Sequence, residues 1–274
     1  MVLEFFGYDY MQRALISGVI IALTAPVIGL FMVLKRLSLI GDTLSHTAFA
    51  GVALGVFLNL SPIWSALVMT VLSALGIAKI RQSARLAGDA ALAVFFSFGL
   101  ALGIFLISLS RSLPFNLSSL LFGSILLVTW GDVWLIAGIG LVASLTILTF
   151  FKELVHIALD EDLARASGLP VGFFNYLLSV LIGVMVVATM RIVGILLVSA
   201  LLIIPSLSSI QVAKSFKQSV ILSIVFALAS VFLGTVIALS LDAAPGGTIV
   251  IVAIVLFVAT VIRRRLWRQH ASLA

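Results

Sequence analysis

Nine apolar runs follow one another along this chain, and each is long enough, or nearly so, to cross a lipid bilayer. A helix needs about 20 mainly apolar residues for this, because each residue adds about 1.5 Å and the hydrocarbon core is about 30 Å thick. The runs cover residues 11–34, 41–58, 62–80, 90–109, 132–151, 173–190, 193–210, 220–241 and 248–262. The sequence therefore predicts an all-α, polytopic transmembrane bundle.

Composition excludes several other classes of protein. The chain is 63% hydrophobic and only 9% charged, with a mean hydropathy of +1.34, which is far from the values of a soluble domain. Cysteine is absent, so disulfides, thiolate metal sites and cysteine nucleophiles are ruled out. The net charge of +6 comes from cations in short loops and near the C-terminus, which is the positive-inside pattern. No basic face remains for nucleic acid.

The distribution of cations also predicts the topology. Alternating the loops across the membrane places the C-terminus in the cytoplasm and, with nine crossings, the N-terminus outside. Residues 114–129 are short and rich in small polar residues, so we expect a re-entrant or interfacial helix there. The first run is too long for a cleavable signal peptide and is expected to be a true span. We predict eight to ten spans in a single domain covering residues 1–274.

Asp42 and His46 are ionisable residues inside the second apolar run. They are four apart, so on a helix they share one face with their Cβ atoms about 6 Å apart. If the helix enters the bilayer near Arg36, His46 lies ten residues deeper, roughly 15 Å, close to the middle of the core. Such a position indicates a functional site, because burial there costs several kcal/mol. A divalent-metal site and an Asp–His hydrogen bond linking two helices both remain open.

Residues 152–172 form a long inward loop of mixed charge. The central part of this loop begins with acids and has a cation near its end. A Gly–Leu–Pro sequence follows and would end a helix there. This pattern predicts a short helix outside the bilayer. This helix could contact a cytoplasmic protein, or it could be a solvated amphipathic loop. The residues that carry the pattern are Asp160, Glu161, Asp162, Arg165 and Gly168.

Two pairs of glycines are spaced four apart within the apolar runs. Gly51 and Gly55 follow His46 on its helix, and Gly99 and Gly103 repeat the spacing in the fourth run. Small residues at this spacing let helix backbones approach closely in lipid. We therefore expect tight helix packing at both pairs.

Six motifs in order resemble the permease subunits of ABC importers for divalent transition metals. LKRLSLIGDTLSHTAFAG resembles the most recognisable stretch of that family, and AGDAALAVFFSFGLALG resembles its fourth span. SSLLFGSIL is similar to a short segment of the family, and LDEDLARASGLP to its cytoplasmic coupling helix, here at about 159–170. VGILLVSALLIIPSLSS and PGGTIVIV are similar to two later spans. Together these motifs extend over most of the chain.

The resemblance implies a function, a set of partners and a role for the marked residues. It implies a permease with the fold of type II ABC importers, in a prokaryotic inner or plasma membrane, paired with a second copy of itself. Two cytoplasmic ATPase subunits and an extracytoplasmic solute-binding protein would complete the system. Asp42 and His46 would form a transient site for Zn²⁺, Mn²⁺ or Fe²⁺, and the 159–170 helix would dock to the ATPase. The chain itself would be no enzyme and would hold no permanent cofactor, and it has no Gly-rich phosphate loop.

Other functions are less consistent with the sequence. An ion-coupled secondary carrier or channel would need more acids within the spans to bind the driving ion. An intramembrane metal enzyme would need three protein ligands and a general base, and an HExxH pair is missing. A permease for a metal chelate is the nearest relative, but it has no evident reason to place an Asp–His pair at mid-membrane. Nitrogen and oxygen ligands leave the choice among zinc, manganese and iron open.

Overall fold

The computed structural model describes residues 8–83, 88–110, 121–123, 128–195 and 197–271. These residues form eleven helices, and none of them is in a β-strand. The helices are α1 (Asp9–Leu34), α2 (Ser38–Phe57), α3 (Pro62–Ser83), α4 (Gly88–Leu109), α5 (Trp130–Thr149), α6 (Phe151–Leu159), α7 (Glu161–Ala166), α8 (Val171–Val193), α9 (Val198–Val212), α10 (Phe216–Leu241) and α11 (Pro245–Ala271). The prediction of an all-α fold is confirmed.

Eight of the described helices are long and apolar enough to cross a membrane, namely α1 to α5, α8, α10 and α11. This number agrees with the predicted eight to ten spans. Large apolar side chains such as Trp64, Leu72 and Leu148 remain exposed on the outer helices, as expected for surfaces that face lipid. Most of the predicted re-entrant segment at 114–129 lies outside the described residues.

The run at 193–210 differs from the prediction, because it is not one uninterrupted helix. Helix α8 extends to Val193, and the backbone leaves helical geometry at Gly194, where φ is +88°. Helix α9 begins only at Val198 and has 15 residues. At about 1.5 Å per residue it is roughly 22 Å long, shorter than the hydrocarbon core. Hydropathy could not reveal this break, because the residues on both sides of Gly194 are apolar.

Helix α2 lies at the centre of the bundle. It packs against α3 and α4 along most of its length and also contacts α1, α8 and α9. Ile40, Leu44 and Ala48 are fully buried, and most of the other α2 residues are buried as well. The polar residues of α2 are therefore held inside the protein rather than against lipid.

A tight turn joins α1 to α2. Arg36 has a φ of +55°, and the amide N–H of Leu37 donates to the carbonyl of Met32 across 2.7 Å. This is the pattern of a Schellman turn, here with arginine at the position that usually holds glycine. The turn places Lys35 at the end of α1 and starts α2 only a few residues before Asp42.

Candidate functional site

Asp42 and His46 lie in the first half of α2, one helical turn apart, and both are half-buried. The hydroxyls between them are satisfied within the bundle. Ser45 donates to the carbonyl of Gly41 at 2.9 Å, and Thr43 donates to the carbonyl of Leu39 at 3.0 Å. The carboxylate and the imidazole are thus the least buried polar groups on this part of α2.

Asp42 has a hydrogen-bond partner on α9. The Ser199 hydroxyl donates to Asp42 Oδ1, although the two residues are 157 apart in the sequence. Ser199 is buried in the first turn of α9, just after the break at Gly194. Nothing in the local pattern around Asp42 predicts this contact, because Ser199 lies in a distant apolar stretch of the chain.

The imidazole of His46 contacts the ring of Phe96 on α4 edge-on, with 4.1 Å between ring centroids. Among the described residues, no side chain or carbonyl forms a hydrogen bond with a ring nitrogen of His46. A neutral imidazole in this setting therefore keeps a nitrogen lone pair available for a cation.

Helix α4 approaches the backbone of α2 very closely at His46. A Cβ atom placed on Gly99 would lie 2.7 Å from the carbonyl carbon of His46 and 2.7 Å from the amide nitrogen of Thr47. One turn further on, a Cβ atom on Gly103 would lie 2.4 Å from the ring of Phe49. The predicted tight packing at this glycine pair is present, and its partner is the helix that carries Asp42 and His46.

Within the described ranges, no group of three or more His, Cys, Asp or Glu side chains is arranged to hold a metal ion. One chain therefore supplies two candidate ligands, Asp42 and His46.

A short helix is present at the predicted place as α7, although its helical part is shorter than 159–170. Asp160 Oδ1 accepts a hydrogen bond from the amide of Leu163 at 2.9 Å and so caps the N-terminus. At the other end, Gly168 has a φ of +81°, and the Leu169 amide donates to the carbonyl of Ala164 at 3.2 Å. This is a Schellman ending, for which glycine is the favoured residue. Asp160 and Gly168 thus define the ends of α7.

Glu161 holds α7 against the membrane-embedded helices. Its carboxylate pairs with Lys35 Nζ at 3.2 Å, accepts from Asn175 Nδ2 at 3.2 Å and contacts Arg165 at 3.4 Å. Lys35 also donates to Asn175 Oδ1. Burial lowers the pKa of Lys35, and the nearby Glu161 carboxylate opposes that shift. The sequence did not reveal this link between α7 and the α1–α2 turn.

The outward surface of α7 has a different composition. Asp162, Leu163 and Arg165 are exposed, and the apolar side chain of Leu163 keeps 57% of its surface accessible. Beside this helix, a cavity of about 440 Å³ opens between the ends of α1, α3 and α8. Leu163 is therefore exposed, with the charged residues Asp162 and Arg165 close to it on the same short helix.

Comparison with known proteins adds an independent line of evidence. The sequence profile of the ABC 3 transport family matches residues 7–264. A manganese import system permease protein, ScaB of Streptococcus gordonii, is 35% identical over 253 residues, which cover 92% of this chain and 91% of that protein. A high-affinity zinc uptake system membrane protein, ZnuB of Haemophilus influenzae, is 29% identical over 258 residues, covering 94% and 98% of the two chains.

A solved structure gives the same result for the fold. The structure described as PsaBC from Streptococcus pneumoniae in complex with Fab matches with a TM-score of 0.85 at 35% identity. The match covers 94% of this chain and 94% of that one.

Proposed function

This chain belongs to the ABC 3 transport family, and on that basis we propose that it is the membrane-spanning permease of an ATP-binding cassette importer for divalent transition-metal ions. The observation that carries the proposal is the 35% identity to a manganese permease, which extends over more than nine-tenths of both chains. It is a multi-pass protein of the cell membrane, and its eight long apolar helices fit that location. Its role is transport and not catalysis.

Asp42 and His46 are the proposed cation site on the path. A carboxylate and a neutral imidazole are ligands that Mn²⁺, Zn²⁺ and Fe²⁺ all accept. If two copies of the chain pair about a twofold axis, they contribute two nitrogens and two oxygens to one ion. A site of this kind need not hold the ion tightly, since a permease must also release it.

The partners follow from the same proposal. An ATPase dimer in the cytoplasm hydrolyses the nucleotide, and an extracytoplasmic binding protein delivers the metal ion. The surface of α7 around Leu163 is the proposed contact for the ATPase, with Glu161 joining α7 to the α1–α2 turn. Movement of α7 would then reach the start of α2, where Asp42 lies.

The first test is uptake by the reconstituted importer. Proteoliposomes that contain the permease, its ATPase and the binding protein should accumulate Mn²⁺ or Zn²⁺ only when ATP is supplied. Mg²⁺ should compete poorly, because it prefers an all-oxygen, largely hydrated site. Uptake driven by a proton or sodium gradient without ATP would instead identify an ion-coupled carrier and would overturn the proposal.

The second test concerns the coupling role of α7. Glu161→Lys should raise the ATP hydrolysed per metal ion transported about tenfold, because the variant places two cations together and leaves Asn175 without its acceptor. Lys217→Glu should change this ratio by less than about twofold, since Lys217 is an exposed residue in the first turn of α10, outside α7. ATPase activity and uptake are measured on the same proteoliposomes.

A charge swap provides the matched control for this coupling test. The double variant Lys35→Glu/Glu161→Lys restores opposite charges across the same gap, and the Asn175 amide can rotate to serve both. The swap should recover most of the wild-type coupling. If Glu161→Lys transports as efficiently as the wild type, the link through Lys35 has no part in coupling.

A further inference from the structure

The start of α9 lies directly against the candidate ligand Asp42. Val198 is its first helical residue, and no side chain caps its N-terminus at Leu197. Ser199, in this first turn, is 7% exposed and directs its hydroxyl at Asp42 Oδ1. A break in an apolar run, followed by a helix start near an ionisable group, is a recurrent way of building ion sites in membrane transporters.

The contact between Asp42 and Ser199 is closely packed and leaves the carboxylate little freedom. A Cβ atom on Gly41 would lie 3.1 Å from the Cβ atom of Ser199, so the two backbones are nearly in contact. Free amide groups at the start of a helix also favour a nearby negative charge. One carboxylate oxygen is therefore engaged by protein, whereas no hydrogen bond from a described residue engages Oδ2.

We propose that Ser199 is a positioning residue that sets the metal specificity of the site, an inference that rests on the proposed function. By engaging Oδ1, the hydroxyl keeps Asp42 binding the cation through one oxygen. Two chains then present four ligand atoms, two imidazole nitrogens and two carboxylate oxygens. Without the hydroxyl, both carboxylates can bind through two oxygens, and the number of ligand atoms rises to six.

The number of ligand atoms can discriminate between Zn²⁺ and Mn²⁺, although the two ions carry the same charge. Zn²⁺ favours four ligands with nitrogen among them, whereas Mn²⁺ accepts six ligands rich in oxygen. Removing the hydroxyl should therefore favour Mn²⁺ over Zn²⁺. A hydrogen bond to a charged group has a net effect of roughly tenfold or more on an equilibrium, which sets the scale of the expected shift.

The experiment compares Mn²⁺ and Zn²⁺ on the complete importer in proteoliposomes, by competitive uptake and by competitive binding. Ser199→Ala should raise the Mn²⁺ to Zn²⁺ ratio about tenfold. Ser199→Thr, which keeps a hydroxyl, should stay near the wild-type ratio. Ser45→Ala is the matched control, because it removes a buried hydroxyl of α2 that, among the described residues, bonds the carbonyl of Gly41 and no carboxylate. A purely structural defect would lower the uptake of Mn²⁺ and of Zn²⁺ by the same factor, so the Mn²⁺ to Zn²⁺ ratio would stay unchanged.

A second pair of variants guards against loss of folding. Ser199→Val and Ser199→Thr have the same shape and differ only in the hydroxyl, so a higher ratio in the valine variant supports the inference. Equal ratios in alanine, threonine and valine variants would overturn it. The two proposals fail separately: uptake that survives Asp42→Asn ends the proposed site, whereas an unchanged ratio with uptake still dependent on Asp42 ends only the role of Ser199.

Discussion

Asp42→Asn and His46→Ala are each expected to lower metal uptake about 100-fold or more, because the first removes the negative charge of one candidate ligand and the second removes the other candidate ligand. Asparagine keeps the size of the side chain and can still accept from Ser199, so Asp42→Asn isolates the loss of charge. His46→Ala removes the imidazole without leaving a buried polar group behind. Uptake of Mn²⁺ and Zn²⁺ is measured at equal amounts of membrane-inserted protein.

Two residues of the same types serve as controls for these variants. His156 lies on α6 and Asp242 at the exposed end of α10, where φ is +52° and asparagine is tolerated. His156→Ala and Asp242→Asn should transport like the wild type. Uptake at the wild-type level in all four variants would mean that Asp42 and His46 serve helix packing and not transport.

Features that depend on neighbouring residues in the chain were accessible from the sequence. The ends of α7 follow from Asp160 and Gly168, which act within a few residues of themselves. The long membrane helices follow from continuous apolar runs, since burying the backbone in lipid leaves few other conformations. The placement of Asp42 and His46 on one helix face needs only their spacing.

Contacts between distant parts of the chain were not accessible in this way. The Ser199 hydroxyl reaches Asp42 only because the chain breaks near Gly194 and α9 then packs on α2. Glu161 pairs with Lys35 at the end of α1, a contact that its place in the predicted coupling helix does not reveal. In both cases the way the helices pack determines which residue the side chain contacts. The spacing of residues within one segment does not predict that packing.

The close approach of α4 to α2 leads to a prediction with a large effect on stability. In Gly99→Ala the new methyl group would meet backbone atoms of His46 and Thr47 at 2.7 Å, and backbone cannot yield as a flexible side chain does. Overpacking of this kind costs about 1–3 kcal/mol. We expect the Tm in detergent to fall by roughly 2–12 °C. Uptake should also fall, because α2 can relieve the clash only by moving His46.

Gly138→Ala is the matched control, since Gly138 lies mid-helix on α5 and nothing stands within 4 Å of its added Cβ. Its Tm should stay the same or rise, because alanine favours the helix more than glycine does. A Gly99→Ala variant that behaves like Gly138→Ala would mean that α4 can withdraw without cost and does not fix the position of His46. If Gly99→Ala instead loses most of its uptake while its Tm falls only slightly, Gly99 is needed mainly to keep His46 in position on the ion path. Tm and uptake together therefore distinguish a helix contact that only stabilises the bundle from one that also positions a ligand.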